Sequence, residues 1–313
     1  MTQPQIHDLI IIGGGPAGYT AAIYGKRAAL STILIEKGVA GGQLNNTDEV
    51  ENWPGTIKIS GAELAVNFAN HAATYGLEVI NREVVEIEPG EKYHAVKLDN
   101  DETLLGHAVI LSTGGSPRKL DIPGENELYG KGVSYCAVCD GFFFRGKTVV
   151  VVGGGDSALE ESLYLAKLAK KIYIAHRRDA FRGSMILQKR VEAAENIEVL
   201  WNTVLAEIKA DDQGVCGVTC ENTQTKEQNE LVVDGVFIFI GFVPNNQLVP
   251  AGTKLNANGY VVCDDRCETQ HRGIFAVGDL KEKFAKQIVT AAADGCTAAL
   301  AAAHYVENKK AGN

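Results

Sequence analysis

The sequence predicts an α/β protein with two Rossmann-like dinucleotide-binding domains, the second inserted into the first. The main observation is a unit that occurs twice, in which an apolar run is followed by a glycine fingerprint, a helical stretch and a second apolar run. Apolar runs without alternation are typical of parallel strands that are buried on both faces. A length of 313 residues is sufficient for about two domains.

The first copy of this unit starts with the apolar run 9–12 and continues with the fingerprint Gly13-x-Gly15-x-x-Gly18. A helix to about Ala29 and a strand over 32–36 complete it. In such a fingerprint the first glycine makes the turn and the second lets the backbone approach a pyrophosphate. The third lets helix and strand pack closely. The pyrophosphate lies at the helix N-terminus, where the N–H groups are free.

The second copy has the same order of elements. A strand is predicted over 148–152, followed by the fingerprint Gly153-x-Gly155-x-x-Ala158. We expect a helix to about Ala169 and a strand over 171–176. A single glycine fingerprint is weak evidence for a nucleotide site. Two fingerprints that each follow a predicted strand together predict two nucleotide sites.

A further repeat indicates the domain boundaries. The segments 107–117 and 234–244 each contain an apolar strand that ends at a glycine, with a proline three residues later. We interpret both as places where the chain leaves a nucleotide-binding domain. The first domain is then discontinuous, with residues 1–116 and 245–313, and the second comprises residues 117–244.

Composition excludes some classes of partner. The formal net charge of −9 and the low isoelectric point of about 5.4 argue against nucleic acid and anionic membranes, since both require a basic face. No segment reaches the ~18 apolar residues of a membrane span. Residues 1–8 are too short and too polar for a signal peptide. We therefore expect a cytoplasmic protein.

The seven cysteines do not indicate a disulfide framework in a reducing compartment. The motif Cys136-Ala-Val-Cys139-Asp140 has the spacing of a redox-active dithiol. Alternatives for this pair are half of a zinc site or two core cysteines. Zinc would require the CxxxC pairs at 216/220 and 263/267 to converge, and their spacing is unusual for zinc. We therefore predict no metal, and we interpret Cys296 as a core residue.

The two nucleotide sites differ in charge at the position that reads the ribose. Glu36 ends the second strand of the first copy, where a carboxylate accepts hydrogen bonds from ribose hydroxyls and repels a 2′-phosphate. The second copy instead has His176, Arg177 and Arg178, with Arg182 one turn further on. Guanidinium groups bind a 2′-phosphate dianion through bidentate bonds. The alternative is a solvated basic loop. We predict FAD at the first site and NADPH at the second.

Over nearly its whole length the chain resembles the bacterial-type low-molecular-weight thioredoxin reductases. The blocks that carry the resemblance are 13–18, 41–44, 50–55, 136–140, 153–161, 176–182, 278–279 and 286–288. Two positions depart from the pattern, because Lys286 stands where the family commonly has Arg and Val138 where it commonly has Thr or another small residue. Lysine keeps the charge but loses the planar fork of arginine.

The resemblance and the fingerprints together give a set of candidate site residues. Cofactor-binding candidates in the first domain are Gly13, Gly15, Pro16, Ala17, Gly18, Glu36, Gly42, Gln43, Leu44, Asn52, Val84, Gly114, Gly278, Asp279, Lys286, Gln287 and Ile288. Those in the second domain are Gly153, Gly155, Asp156, Ser157, Ala158, Glu160, His176, Arg177, Arg178, Arg182, Ile240 and Gly241. The catalytic candidates are Cys136, Cys139 and Asp140.

The resemblance implies an NADPH-dependent reduction of thioredoxin through FAD and a Cys136–Cys139 disulfide. It places Cys139 against the flavin, and it leaves open which cysteine attacks the partner. Asp140 is the candidate acid for the leaving thiolate, and its alternative is a cap or turn residue. Family members are homodimers in which the NADPH domain moves relative to the FAD domain, and we expect the same here.

Three other functions compete with this interpretation. One is a reductase of a hydroperoxide-reducing system, but that form carries an additional N-terminal thiol domain that this sequence lacks. A second is a flavin dithiol oxidase, which needs no group that reads a 2′-phosphate. The third is a redox sensor whose FAD and disulfide report the state of the cell to a partner.

Overall fold

A computed structural model of the chain describes residues 6–46 and 50–312. Residues 1–5, most of the N-terminal segment 1–8, lie outside the described residues. The chain forms two compact units. One comprises Met1–Ser116 and Val243–Asn313, and the other comprises Pro117–Phe242.

Strands make up the two main sheets and two smaller ones. They are β1 Ile6–Ile12, β2 Thr32–Ile35, β3 Glu78–Ile80, β4 Val84–Glu88, β5 His94–Leu98, β6 Thr103–Leu111, β7 Gly115–Pro117, β8 Val133–Ser134, β9 Thr148–Gly153, β10 Lys171–His176, β11 Ile197–Trp201, β12 Thr203–Asp211, β13 Gly214–Asn222, β14 Gln228–Leu231, β15 Gly235–Phe239, β16 Phe242–Pro244 and β17 Ile274–Ala276.

The α-helices are α1 Pro16–Arg27, α2 Gly61–Ala73, α3 Ala137–Asp140, α4 Asp156–Leu165, α5 Met185–Glu192 and α6 Ile288–Lys310. Short 3₁₀ segments cover Gly42–Asn46, Gly141–Phe144 and Gly278–Leu280. No helix within the described ranges is both long and apolar enough to cross a membrane.

The first unit is built on a sheet with the strand order β3-β2-β1-β6-β5-β4, and β17 pairs with β6. β1 is parallel to β2 and β6, whereas β4 and β5 extend the sheet antiparallel. Successive residues of β1 point to opposite faces. Leu9 and Ile11 pack with alanines of α1 and α6, while Ile10 and Ile12 pack with residues of β4 and β5. The unbroken apolar run is explained by burial on both faces.

The second unit repeats this construction. Its parallel sheet has the order β11-β10-β9-β15-β8, and a separate antiparallel sheet has the order β12-β13-β14. Val149 and Val151 pack with residues of α4 and α5 on one face. Val150 and Val152 pack on the other face with residues of β12 and β13. Each sheet thus brings a glycine fingerprint to the end of a central strand.

Helix α4 ends earlier than its sequence predicts, at Leu165 rather than near Ala169. The reason is that the residues after it bond to Gly146 and Lys147, immediately before β9, instead of continuing the helix. The Leu168 carbonyl accepts from the Gly146 N–H, and the Lys170 N–H donates to the Lys147 carbonyl, at 2.9 and 2.8 Å. Tertiary pairing has overridden a sequence with good helix propensity.

Helices α1 and α6 approach closely at Gly295. A Cβ atom at this position would lie 2.2 Å from the Ala17 carbonyl oxygen and 3.0 Å from the Ala21 nitrogen. Both are backbone atoms, which cannot rotate away. The glycine therefore sets the distance between the helix of the first fingerprint and the C-terminal helix.

We predict that Gly295→Ala lowers the free energy of unfolding by about 2 kcal/mol, because overpacking typically costs more than the helix propensity gained. Urea unfolding of the purified protein measures the change. Thr297→Ala, at an exposed position of the same helix, is the control and should be close to neutral. Equal stability of Gly295→Ala and the wild type would contradict this account of the helix contact.

Candidate active site

The site contains a disulfide between Cys136 and Cys139, whose Cα atoms are 5.3 Å apart. Cys136 is the N-cap of the short helix α3, and its Sγ accepts a hydrogen bond from the Cys139 N–H at 3.2 Å. One helical turn places residues three apart on the same side, so the two sulfur atoms meet. Both cysteines are part-buried, and Val138 between them is 45% exposed.

Asp140 is held next to this disulfide by Ser134. The buried Ser134 hydroxyl donates to Asp140 Oδ2 at 2.5 Å and accepts from the Cys136 N–H at 3.0 Å. Burial, and then the negative charge of Asp140, raise the pKa of the nearby Tyr129 to about 12. The carboxylate is thus connected to the backbone of Cys136 through one hydroxyl group.

Glu161 on α4 is a second acid at this site, and the sequence did not single it out. Burial and the charge of Glu160 raise its pKa, while a hydrogen bond from the Ala137 backbone opposes the shift. Its Oε2 is buried without a hydrogen-bond partner. A Glu-Glu pair on a helix usually indicates a solvated face, so only the fold reveals that this carboxyl group contacts the residue between the cysteines.

The second fingerprint joins β9 to α4. The N-cap of α4 is Gly155, which makes no side-chain cap and has open space where a Cβ would stand. A Cβ at Gly154 would lie 2.2 Å from the His176 ring, and one at Gly153 would lie 2.5 Å from Ala158 Cβ. Asp156, Ser157 and Glu160 are exposed at the start of the helix. The arrangement leaves the first helix amides free for an anion.

The arginine-containing loop is tied directly to this fingerprint. The Arg182 and Gly183 N–H groups donate to the Gly154 carbonyl at 2.8 and 3.1 Å. The Ser184 N–H donates to Asp156 Oδ1 at 2.6 Å. The side chains of Arg177, Arg178 and Arg182 are exposed. The three guanidinium groups therefore belong to a segment that is anchored at the free helix N-terminus.

His176 links the arginine-containing loop to the fingerprint. It is buried, and its Nδ1 and Nε2 lie 3.0 Å from the carbonyls of Gly153 and Ala180, respectively. Burial lowers its pKa. Because both ring nitrogens face backbone carbonyls, the imidazole positions the loop instead of offering a free donor to a ligand.

The end of β15 adds a residue that the sequence did not predict. Ile240 is half-buried, and Gly241 has a φ of 125°. The Arg118 N–H donates to the Gly241 carbonyl at 2.9 Å, and a Cβ at Gly241 would lie 3.1 Å from Arg118 Cδ. Arg118 is therefore a further cation at this edge of the second unit, and no motif in the sequence indicates it.

The first fingerprint is packed even more tightly. A Cβ at Gly18 would lie 1.9 Å from the Gly13 carbonyl oxygen, whereas Gly15 faces open space. Pro16 and Ala17 begin α1. Glu36 lies where the sequence places it, and its carboxylate accepts from the Gly14 and Gly38 N–H groups at 2.7 and 2.8 Å. The acid therefore also orders the fingerprint turn.

The remaining candidates of the first unit lie in loops and at element ends. Gln43 Nε2 donates to the Gly115 carbonyl at 3.2 Å, and Asn52 Nδ2 donates to Gln287 Oε1 at 3.2 Å. Gly42 and the buried Leu44 lie in the same 3₁₀ segment as Gln43. Val84 is the first residue of β4, and Ile288 is the first residue of α6. Gly114 has a φ of 67°.

Asp279 follows Gly278 in a part-buried turn. Burial raises the pKa of Asp279, and the charges of Lys283 and Lys286 oppose the shift. Lys286 Nζ lies 4.3 Å from the centroid of the Tyr260 ring, and burial lowers its pKa. The lysine that replaces the usual arginine is therefore held by an aromatic face, and its charge still acts on Asp279.

Comparison with known proteins identifies the chain's family. The model of the pyridine nucleotide-disulphide oxidoreductase family matches residues 7–295. A thioredoxin reductase of Bacillus subtilis is 48% identical over 307 residues, which cover 98% of this chain and 97% of that protein. The chain belongs to the pyridine nucleotide-disulphide oxidoreductase family. It is therefore an oxidoreductase, and the resemblance predicted from the sequence is confirmed.

Solved structures of this family confirm the predicted α/β fold with two dinucleotide-binding domains. The thioredoxin reductase of Streptococcus pyogenes has a TM-score of 0.94 and 42% identity, and the match covers 98% of this chain and 100% of that one. The Lactococcus lactis thioredoxin reductase in its FR conformation also has 42% identity, with a TM-score of 0.66 and coverage of 96% and 99%.

We predict that Glu161→Gln changes the pH dependence of stability. A buried acid whose pKa is raised on folding stabilises the fold fully at low pH, and this contribution is lost as the pH rises through the folded-state pKa. The neutral variant lacks that loss, so its stability relative to the wild type should increase as the pH rises above about 4, where a glutamate of the unfolded chain ionises.

Unfolding curves at several pH values measure this difference. Glu160→Gln, at the neighbouring exposed position, is the control and should leave the pH dependence nearly unchanged. A Glu161→Gln variant whose stability stays parallel to that of the wild type at every pH would show that this carboxyl group is solvated.

Proposed function

We propose that this oxidoreductase is an NADPH-dependent thioredoxin reductase that uses FAD and the Cys136–Cys139 disulfide. The observation that supports it most directly is that one unit contains both the disulfide with its neighbouring Asp140 and a glycine fingerprint to which the arginine-containing loop is bonded. Named relatives that share more than 40% of the sequence are thioredoxin reductases.

The residues present fit two nucleotide cofactors. Gly15 and Gly155 each leave open the space in front of a helix N-terminus, which suits a pyrophosphate. Glu36 at the first site favours a nucleotide with free ribose hydroxyls, so we assign FAD to the unit that contains Gly278 and Asp279. The exposed guanidinium groups at the second site favour the 2′-phosphate of NADPH. When bound, the cofactors supply hydride and electron transfer to the disulfide.

The protein side chains carry the thiol chemistry. Reduction of the disulfide adds two electrons and breaks the S–S bond, so that one sulfur stays a thiolate and the other takes a proton. We assign Asp140 as the group that passes this proton from solvent, because Ser134 holds its carboxyl group beside the backbone of Cys136. The thiolate attacks the disulfide of thioredoxin, which forms a mixed disulfide and releases one thioredoxin sulfur that takes up a proton. The second cysteine loses its proton and attacks the enzyme sulfur of the mixed disulfide. The second thioredoxin sulfur leaves as a thiolate, so the dithiol is oxidised as thioredoxin is reduced.

We also propose a cytoplasmic homodimer. The five other cysteines of the chain are free thiols, which fits a reducing compartment. The homodimer is proposed from the family resemblance, and light scattering of the purified protein measures it directly. A monomer at micromolar concentration would contradict this part of the proposal.

The activity is tested with the purified protein, NADPH, thioredoxin and a dye disulfide as terminal acceptor. We expect turnover that requires all components. Cys136→Ser and Cys139→Ser should each abolish thioredoxin reduction while FAD stays bound, because neither variant can form the disulfide. Cys216→Ser, in β13 of the same unit, is the control and should retain activity. Thioredoxin reduction by the double variant at both catalytic positions would contradict the proposal.

The cofactor preference is tested by replacing Arg177 and Arg178 with Ala. We expect the preference for NADPH over NADH, as a ratio of kcat/KM values, to fall by tenfold or more, since each charge-assisted bond to phosphate contributes about 1.5–3 kcal/mol. Arg145→Ala, at an exposed loop position of the same unit, is the control. Equal use of NADPH and NADH by the wild type would overturn the assignment of the second site.

A further inference from the structure

A second pair of thiols lies in the unit that contains the first fingerprint. Cys263 and Cys267 flank a tight turn, in which the Cys267 N–H donates to the Asp264 carbonyl at 3.1 Å and the Glu268 N–H to Asp264 Oδ1 at 2.8 Å. The turn brings the two thiols close enough for each to shift the pKa of the other. Cys267 has a φ of 66°, in the left-handed region that few cysteines adopt. The conformation of the turn thus holds Cys263 and Cys267 near each other.

A fixed ammonium group lies against the pair. Lys281 Nζ is 3.2 Å from Cys267 Sγ and 3.2 Å from Asp294 Oδ1. The side chains of Lys281 and Asp294 are each only 15% exposed. Asp294 also accepts hydrogen bonds from the Gly278 N–H and from Lys283 at 3.1 and 2.9 Å. The lysine is therefore held in place by a carboxylate whose own position is fixed.

This environment divides the pair into a nucleophile and a partner. The hydrogen bond from Cys263, and then the charge of Lys281, lower the pKa of the Cys267 thiol to about 7 against the effect of burial. The same hydrogen bond and burial raise the pKa of Cys263. A thiolate next to a protonated thiol provides the nucleophile and the resolving group of an oxidant-responsive pair. Cys267 is only 1% exposed and Cys263 is part-buried, so the pair is matched to a small oxidant such as hydrogen peroxide.

The chain contains a matched pair that lacks these features. Cys216 and Cys220 have the same spacing but lie on β13. Four residues of strand separate Cα atoms by about 13 Å, which is beyond the reach of a disulfide. Burial raises the pKa of Cys220. The two pairs therefore have the same sequence spacing and are distinguished only by the turn and by Lys281.

We propose that Cys263 and Cys267 form a second, oxidant-responsive dithiol that reacts with hydroperoxides. The Cys267 sulfur attacks the peroxide, an S–O bond forms, the O–O bond breaks, and the leaving oxygen takes a proton to give water or an alcohol. The Cys263 thiol then attacks the Cys267 sulfur, and the second oxygen leaves as water with the remaining proton. The two thiols are oxidised to a disulfide, and the hydroperoxide is reduced.

The holoprotein is tested by mapping its disulfides. Reduced protein is freed of reductant, treated with hydrogen peroxide for increasing times, alkylated under denaturing conditions and digested with trypsin. Trypsin cleaves after Arg266 and so separates Cys263 from Cys267. We expect a disulfide that links the peptides 255–266 and 267–272 to form at least tenfold faster than any bond between Cys216 and Cys220.

The Lys281→Met variant should slow formation of this disulfide at least tenfold, and Lys281→Arg should preserve most of the rate. The wild-type map remains decisive if Lys281→Met does not fold. Cys263 and Cys267 that stay fully alkylated after the Cys136–Cys139 disulfide has re-formed would overturn the proposal. Equal rates in the wild type and a folded Lys281→Met variant would overturn the role of the ammonium group.

Discussion

The contact on which both nucleotide sites depend is the approach of a helix to the backbone of its preceding strand without an intervening side chain. At Gly18 the space for a Cβ is already filled by the Gly13 carbonyl, and at Gly153 it is filled by Ala158 and the Phe239 carbonyl. Glycine is required because any side chain would push the helix away from the strand. Only at this distance do the free N-terminal amides of each helix, α1 in the first unit and α4 in the second, converge on a point in front of that helix.

The two nucleotide sites share this backbone geometry but differ in the charged groups around it. At the first site Glu36 occupies backbone donors and adds negative charge, and at the second the loop of Arg177, Arg178 and Arg182 is tied to Gly154. Similar backbone geometry therefore presents opposite charge to a ribose. The disulfide of α3 lies in the second unit together with Asp140 and the part-buried Glu161, so the thiol chemistry and the arginine loop belong to the same folded body.

Sequence patterns predicted the parts of the molecule that short motifs encode. The fingerprints, the strands around them and the CxxC pair each depend on a few adjacent residues. Features that depend on contacts between distant segments were missed: the burial of Glu161 against Ala137, the position of Arg118 at Gly241, and the meeting of Lys281 with Cys267. The early end of α4 has the same origin, because hydrogen bonds to the residues just before β9 outweigh local helix propensity.

The central claim is that one disulfide and one flavin act in series in each chain. Anaerobic titration of the FAD-loaded protein with dithionite, followed by flavin absorbance and thiol count, tests this most directly. The account predicts that each chain takes up two electrons in the flavin and two more in the Cys136–Cys139 pair, with two new thiols at the end point. Full reduction by two electrons, with no gain of thiols, would contradict it.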